Sequence, residues 1–349
     1  MSHATLVTGA GGFIGAWLTK ALLERGSSVI ALDRPTRTPQ RHADREQRPG
    51  AIESRTLELL ELDGEVTPAA CALNDPDELT RVLQAHRVST VFHLAAEPIV
   101  MAVRAAPRAA FETNVRGTWN VLEACRAAGV KRVIVASSDK AYGPSERLPY
   151  KEDAPLRPTA PYEASKAAAD LIAHSYWPSY GLPVAVTRLA NVYGGGDLNF
   201  SRLVPEAVCA ALSGRSAALR SDGSPQRDFL YIDDAVDAYL AIAEHLDKAG
   251  VRGEAFNAGG GAAHRVSDVI ELINEIVGVN LPPQISHHGT PDGEIDRQFV
   301  DATKLRRATG WQPAVSLEDG LRRTIDWYAE HPSARPAGQP LDPRNHVTA

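Results

Sequence analysis

A doubly wound α/β fold is predicted by three observations: a glycine-rich turn directly after a short apolar strand, a carboxylate at the tip of the next apolar strand, and strand and helix signals that keep alternating along the chain. Residues 4–8 (ATLVT) form the first strand. The turn after it opens onto Ala16 to Arg25, where Trp17, Ala21 and Leu22 recur at the spacing of a packed helix. VIALDR (29–34) is a second buried strand. TVFHLAA (90–96), RVIVASS (132–138) and PVAVTRLAN (183–191) supply further strands, with a helix around 112–128 that ends at Gly129.

Three segments stand apart from this rhythm. Pro35 to Leu62 is long and charged, with helical character only near Thr56 to Leu62, and reads as a mobile insertion. The second half has shorter elements, loops with glycine and proline, and an apolar helix at Ser267 to Val277, which together suggest a smaller C-terminal α/β lobe. From His331 onward, proline, arginine and polar residues without periodicity predict a disordered tail. The expected division is residues 1–192 plus about 226–260 for the dinucleotide-binding domain, and 193–225 plus 261–330 for the lobe that holds substrate.

Composition removes several function classes. A chain of 349 residues exceeds what one core usually supports. Its net charge of −6 provides no basic field for nucleic acid or an anionic membrane. Cys71, Cys125 and Cys209 are odd in number and far apart, with neither metal-site nor disulfide-framework spacing, which suits a reducing cytoplasmic setting. No metal site is expected. The N-terminal residues lack a signal-peptide pattern, and no apolar run reaches membrane-spanning length.

Gly9, Gly12 and Gly15 fall in a G-x-x-G-x-x-G turn between strand and helix, where backbone amides and a helix N-terminus can face a pyrophosphate. Asp33, eighteen positions after Gly15, can accept hydrogen bonds from a ribose diol. That pairing makes the fold Rossmann-type. The same carboxylate repels a 2′-phosphate, so NAD is favoured over NADP, although Arg34 beside it speaks partly for the other choice.

Tyr162 and Lys166, four apart in PYEASK, share one face of a helix, and a cation near a phenol lowers its pKa from about 10 toward that of a usable base. Ser138 ends an apolar strand, the edge where open α/β sheets bind ligands. Asp139 and Lys140 follow it, so an acid and an amine leave the same strand end. Lys140 has two readings here, a base or a phosphate or cofactor contact.

GAGGFIG, FHLAAEP, TNVRGTWNVLEA, SSDKAYG, PYEASK, RLANVYGGGD and RDFLYIDDAVDAYL occur in that order over roughly residues 4–330. Together they resemble the extended short-chain dehydrogenase/reductase superfamily, which includes nucleotide-sugar epimerases, 4,6-dehydratases and decarboxylases. SSDKAYG is similar to the Thr-Asp-Lys loop of CDP-glucose 4,6-dehydratases, with Ser138 in the place of the threonine. AAEPIVMAVRAAPRAAFETNVRGT and GGGDLNFSRLVPE lean the same way. CALND departs by carrying Ala72 where the family usually has an aspartate at the adenine.

The resemblance implies a seven-stranded sheet, tightly held NAD and a homodimer formed through the helices around 100–128 and 160–176. It places Gly9, Gly12, Phe13, Ile14, Gly15, Asp33, Arg34, Leu94, Ala95, Ala96, Tyr162 and Lys166 at the cofactor, and Glu97, Ser138, Asn191, Arg202, Leu203 and Arg227 at a nucleotide-diphosphate sugar. Arginine forks match diphosphate oxygens. In a 4,6-dehydratase, Tyr162 would deprotonate the C4 hydroxyl, Asp139 would protonate the departing C6 hydroxyl and Lys140 would take the C5 proton, provided burial or a neighbouring cation such as Lys166 keeps that amine neutral. A 4-epimerase needs only Ser138, Tyr162, Lys166 and NAD. A nucleotide-binding protein without turnover would need the glycine turn but not the proton-transfer groups. His93 and Asn114 are expected to be structural.

Overall fold

The computed structural model describes residues 4–34, 54–286 and 295–336. The chain begins β1 (Ala4–Thr8), α1 (Phe13–Glu24), β2 (Val29–Asp33), α2 (Arg55–Leu59), β3 (Thr67–Ala70), α3 (Pro76–Ala85) and β4 (Val88–His93). It continues with α4 (Val100–Ala105), α5 (Pro107–Ala110), a π-helical turn (Phe111–Arg116), α6 (Gly117–Ala128), β5 (Arg132–Ala136), α7 (Pro161–Tyr180), β6 (Val184–Leu189) and β7 (Asn191–Tyr193). The remainder is α8 (Leu203–Leu212), β8 (Ala218–Leu219), β9 (Gln226–Tyr231), α9 (Ile232–His245), β10 (Ala255–Ala258), β11 (Ala263–Arg265) and α10 (Val266–Val277). Strands β12 (Gln284–Ile285) and β13 (Arg297–Gln298) and helices α11 (Thr303–Thr309) and α12 (Leu317–Glu330) follow.

Seven parallel strands in the order β3-β2-β1-β4-β5-β6-β10 make the central sheet. Order reverses between β1 and β4, which opens the crevice beyond their C-terminal ends where such sheets bind ligands. The strands are apolar on both faces because helices cover both: α3, α6 and α7 enclose one core, and α1, α8, α9 and α12 the other.

A second sheet is built around β9, flanked by β7, β11 and β13. PVAVTRLAN is therefore two strands, β6 and β7, that leave Ala190 between them and join different sheets. Within the expected return at about 226–260, β9 belongs to the small sheet, while α9 packs on α1 and the large sheet and β10 extends that sheet.

Other boundaries differ locally. Helix α1 starts at Phe13, three residues before Ala16, since Gly12 in extended conformation is its N-cap. The helix near Thr56 is Arg55–Leu59, capped by the Ser54 hydroxyl; the rest of the predicted insertion, 35–53, lies outside the described residues. His331 to Pro336 are ordered, contrary to the predicted tail: the His331 ring stacks on Trp327 at 4.2 Å and Ala334 is buried. Residues 337–349 lie outside the described residues.

His93 is structural, as expected. Its ring joins the Thr8 hydroxyl (2.7 Å) to that of Thr118 (3.0 Å), and burial holds its pKa down at about 3. The unfolded chain binds a proton near pH 6.5 that the folded one refuses until about pH 3, so this residue lowers stability as pH falls through that window. Urea unfolding at pH 7 and pH 5 is expected to show a smaller loss of stability on acidification in His93→Gln than in the parent protein.

Candidate active site

The turn after β1 is built for close backbone approach. Gly9 has φ +69°, and a Cβ there would lie 2.8 Å from the Ala95 backbone; one on Gly15 would lie 2.1 Å from the Gly9 carbonyl oxygen. Turn, helix start and the loop after β4 thus meet without side chains between them. No side chain caps α1, so its N-terminus is available to an anion. Phe13 and Ile14 begin that helix, while Leu94 and Ala95 are tied to β1 through Thr8.

Asp33 accepts from the amides of Gly11 (3.1 Å) and Arg34 (2.8 Å), and its remaining lone pairs suit a ribose diol. Arg34 does not face a vacant phosphate position, because its guanidinium donates to Glu97 at 2.9 Å. These features fit NAD: a pyrophosphate cradle without Cβ atoms, a carboxylate for the ribose and a neighbouring cation already paired. Ala72, just past β3, offers no carboxylate, and the nearby Asp75 is used as the cap of α3.

The candidate catalytic groups converge at the end of β5. Ser138 caps a short 3₁₀ turn, Asp139–Tyr142, that sets Asp139 inward and Lys140 beside it. The Ser138 hydroxyl lies 3.2 Å from Asp139 Oδ1, and Lys140 Nζ lies 3.9 Å from the same oxygen. Asp139 is fully buried, its Oδ2 has no partner, and burial raises its pKa against the pull of Lys140. Burial likewise lowers the pKa of Lys140, aided by Arg227 and Arg202 and opposed by Asp139 and Glu163.

Helix α7 brings Tyr162 and Lys166 to the same place. Lys166 Nζ donates to the Ala136 carbonyl at 2.9 Å, and burial lowers its pKa to about 8. Tyr162 is pushed up to about 12 by burial, while Arg202 and the hydrogen-bonded Ser138 hydroxyl act in the other direction. Arg202 is the cation that acts on Tyr162, while Lys166, one helical turn along, is anchored on the Ala136 carbonyl of β5. Lys166 is also not the cation that acts on Lys140.

Arg202 is held by Asp197, 2.9 Å away and buried. The loop between them is clamped at its start: Trp17 donates to the Gly195 carbonyl (2.8 Å), and a Cβ on Gly195 would enter the Trp327 ring at 2.2 Å. Leu203 starts α8 and packs on the core. Arg227 donates to the carbonyls of Gln226 and Asp296, both at 3.0 Å, and acts electrostatically on Asp139 and Lys140.

Of the expected substrate contacts, Ser138, Asn191, Arg202 and Arg227 surround the Asp139-Lys140 turn. Glu97 does not: its carboxylate is turned to Arg34 at the cofactor end, while its backbone is fixed by Asn114 at 2.7 Å. Asn114 also donates to Ser165, whose hydroxyl returns to the Tyr162 carbonyl, confirming its structural character. Sequence reasoning passed over Gly11 and Asp197 and assigned no role to Asp228. The Asp-x₄-Arg spacing of 197 and 202 is readable; Asp228 is visible only as the acid of the Arg-Asp pair in QRDFLYIDD, and its burial on the Gly260 amide at 2.7 Å is not.

Beneath the turn, Arg188 grips Asp170 through two bonds (2.8 and 2.9 Å) and donates to the Tyr142 hydroxyl at 2.9 Å, which in turn donates to Asn257 at 2.7 Å. Breaking such a buried pair by removing one partner costs about 3–5 kcal/mol. The network binds β6, α7 and β10 to the catalytic turn.

Residues 5–259 match the model of the NAD dependent epimerase/dehydratase family. The chain belongs to that family. This epimerase/dehydratase chain is 33% identical over 355 residues to a dTDP-glucose 4,6-dehydratase of Streptomyces griseus, covering 100% of both. It is equally 33% identical over 333 residues to a UDP-glucose 4-epimerase of Mycolicibacterium smegmatis, covering 93% of this chain and 98% of the other. Among solved structures, a dTDP-glucose 4,6-dehydratase variant of Streptomyces venezuelae with NAD bound superposes with TM-score 0.81 at 31% identity, covering 94% and 98% of the two chains. A UDP-glucose 4-epimerase of Thermotoga maritima with UDP-glucose gives 0.82 at 29%, covering 94% and 99%. The family member described here is thus an extended short-chain dehydrogenase/reductase of the nucleotide-sugar epimerase/dehydratase kind.

Proposed function

We propose that the protein is an NAD-dependent nucleotide-sugar 4,6-dehydratase that converts an NDP-hexose to the NDP-4-keto-6-deoxyhexose. One observation carries this reading: a buried Asp139 with an unpartnered carboxyl oxygen stands next to Lys140 at the end of β5, an acid and a base that C4 epimerisation does not need. NAD, when bound, takes hydride from C4 and returns it at C6. Tyr162 removes the C4 hydroxyl proton, with Ser138 as its hydrogen-bond partner and Lys166 holding the helix to β5. The 4-keto group acidifies C5–H, Lys140 takes that proton, and the protonated Asp139 gives its own to the leaving C6 hydroxyl, which departs as water; Lys140 returns its proton to C5 as C6 is reduced, and the proton left on Tyr162 replaces the one Asp139 gave up. Arg202 and Arg227 engage the diphosphate.

The relatives named for dTDP-glucose and UDP-glucose support a nucleotide-activated hexose as substrate. Resemblance of the Asp139-Lys140 turn to CDP-glucose 4,6-dehydratases favours CDP as the nucleotide. The 4-epimerase reading draws on the equal identity of the Mycolicibacterium relative and on a site that contains everything C4 epimerisation requires. Mass spectrometry of the enzyme with CDP-, UDP-, dTDP- and GDP-hexoses separates them. Loss of one water from one of these sugars supports the dehydratase and identifies the nucleotide; unchanged mass with inverted C4 supports the epimerase.

A homodimer is part of this reading. Val100, Met101, Phe111, Trp119, Leu171 and Tyr180 are exposed on α4, the π turn, α6 and α7, the helices expected at the interface. Light scattering is expected to give twice the chain mass, and a Trp119→Asp/Leu171→Asp double variant to give the monomer. Among the described residues no helix is long and apolar enough to cross a membrane. The three buried free thiols support a reducing cytoplasmic location.

A further inference from the structure

Asn191 was expected at the diphosphate, yet its amide is engaged at both ends. Nδ2 donates to the Asp228 carbonyl of β9 at 3.1 Å, which turns Oδ1 toward Lys140 Nζ, also at 3.1 Å. The bond to Asp228 fixes which end of the amide faces the lysine. Asn191 begins β7, directly after the chain has left the large sheet for the small one, and Lys140 leaves the large sheet at β5. The side chain therefore joins the two sheets at the reacting centre.

We propose that Asn191 is a positioning residue for Lys140: its neutral amide carbonyl fixes the amine beside Asp139 without retaining the proton that a carboxylate in the same place would hold. This rests on the reading of Lys140 as the base, while the contact itself belongs to either reaction. A carbonyl accepts one N–H from an amine or, more strongly, from an ammonium, but it adds no net negative charge, and a neutral amine held this way keeps its lone pair for C5–H. Every other charged group facing Lys140 is already accounted for: Asp139 on its own turn, Arg227 on β9, Glu163 on α7 and Arg202 at the start of α8. The two arginines and burial oppose the ammonium, and Asp139 and Glu163 favour it. A carboxylate at 191 would upset this opposition from a distance of one hydrogen bond.

The test reads Lys140 itself. Competitive acetylation of the purified full-length enzyme across a pH series, followed by mass spectrometry of the Lys140 peptide, gives the midpoint of its amine. Asn191→Asp is expected to raise that midpoint by about 1–3 pH units, the effect of an opposite charge at contact distance. An unmoved midpoint overturns the proposal. Asn191→Ala, which removes the acceptor without adding charge, is expected to lower kcat about tenfold or more with KM within about twofold. A raised KM with native kcat and native Lys140 labelling makes Asn191 a substrate contact and also overturns it. Acetylation needs no sugar substrate, so failure of the dehydratase reading appears in the product analysis and failure of this proposal in the labelling.

Discussion

Tyr162→Phe is expected to lower turnover about 10³-fold or more while the protein keeps its NAD. General acid–base groups contribute about 10²–10⁴-fold, and here the lost group is the base that starts the reaction at C4. The ring itself is needed for packing, since it is buried against Val103 and Ala110, and phenylalanine preserves that contact. Nothing in the glycine turn or at Asp33 depends on the hydroxyl. Cofactor released from the denatured variant and measured by mass spectrometry should equal that of the parent. In the present structure the phenol is held up at about 12, so it is protonated at neutral pH and becomes a base only as positive charge gathers around it. C4 oxidation, followed in single turnover, should therefore rise with pH on the alkaline side in the parent and be flat in the variant. Retention of a tenth of parental turnover would assign the base elsewhere.

Asp139→Asn should separate two steps that the parent performs in sequence. Asparagine keeps the size and the Ser138 contact but has no acidic proton to give, so elimination of water should fall about 10²–10⁴-fold. Removal of the C4 proton by Tyr162 is untouched, and single-turnover mass spectrometry should show sugar dehydrogenated at C4 with its C6 oxygen in place. Because burial raises the Asp139 pKa, the acid keeps its proton to higher pH than an exposed aspartate. Dehydration in the parent should decline as pH rises through that raised value, the carboxyl having lost its proton. Full dehydratase activity in the variant would rule out Asp139 as the acid.

The parts of this molecule readable from sequence are those whose chemistry is local. Gly9, Gly15 and Asp33 lie within a single β-α-β unit, and Tyr162 and Lys166 lie one helical turn apart, so spacing alone predicts where they point. Glu97 and Lys166 show where that reasoning stops. The loop after β4 passes the cofactor end before it nears the substrate, and only the folded chain shows Glu97 turned to Arg34. Helical spacing puts Lys166 on the same face as Tyr162 but does not reveal the Ala136 carbonyl that holds its amine. Likewise Arg188 reads as one polar residue in an apolar strand, and its partners Asp170 and Tyr142, with Asn257 beyond Tyr142, come from three other elements. The split between β6 and β7 is equally silent, since apolar alternation continues through Ala190 although the hydrogen-bonding partners change.

The clamp on Gly195 has a consequence for the order in which the protein becomes competent during synthesis. Everything in the glycine turn, from Gly9 to the Ala95 backbone that Gly9 touches, has been made before translation reaches the catalytic strand. The loop that carries Arg202 must wait, because Trp327 packs on Gly195 and the Tyr328 hydroxyl donates to the Asp197 carbonyl at 2.5 Å. A ribosome-bound chain that stops short of α12 lacks the wall that steadies the loop carrying Arg202, so that side of the crevice is the last to be completed.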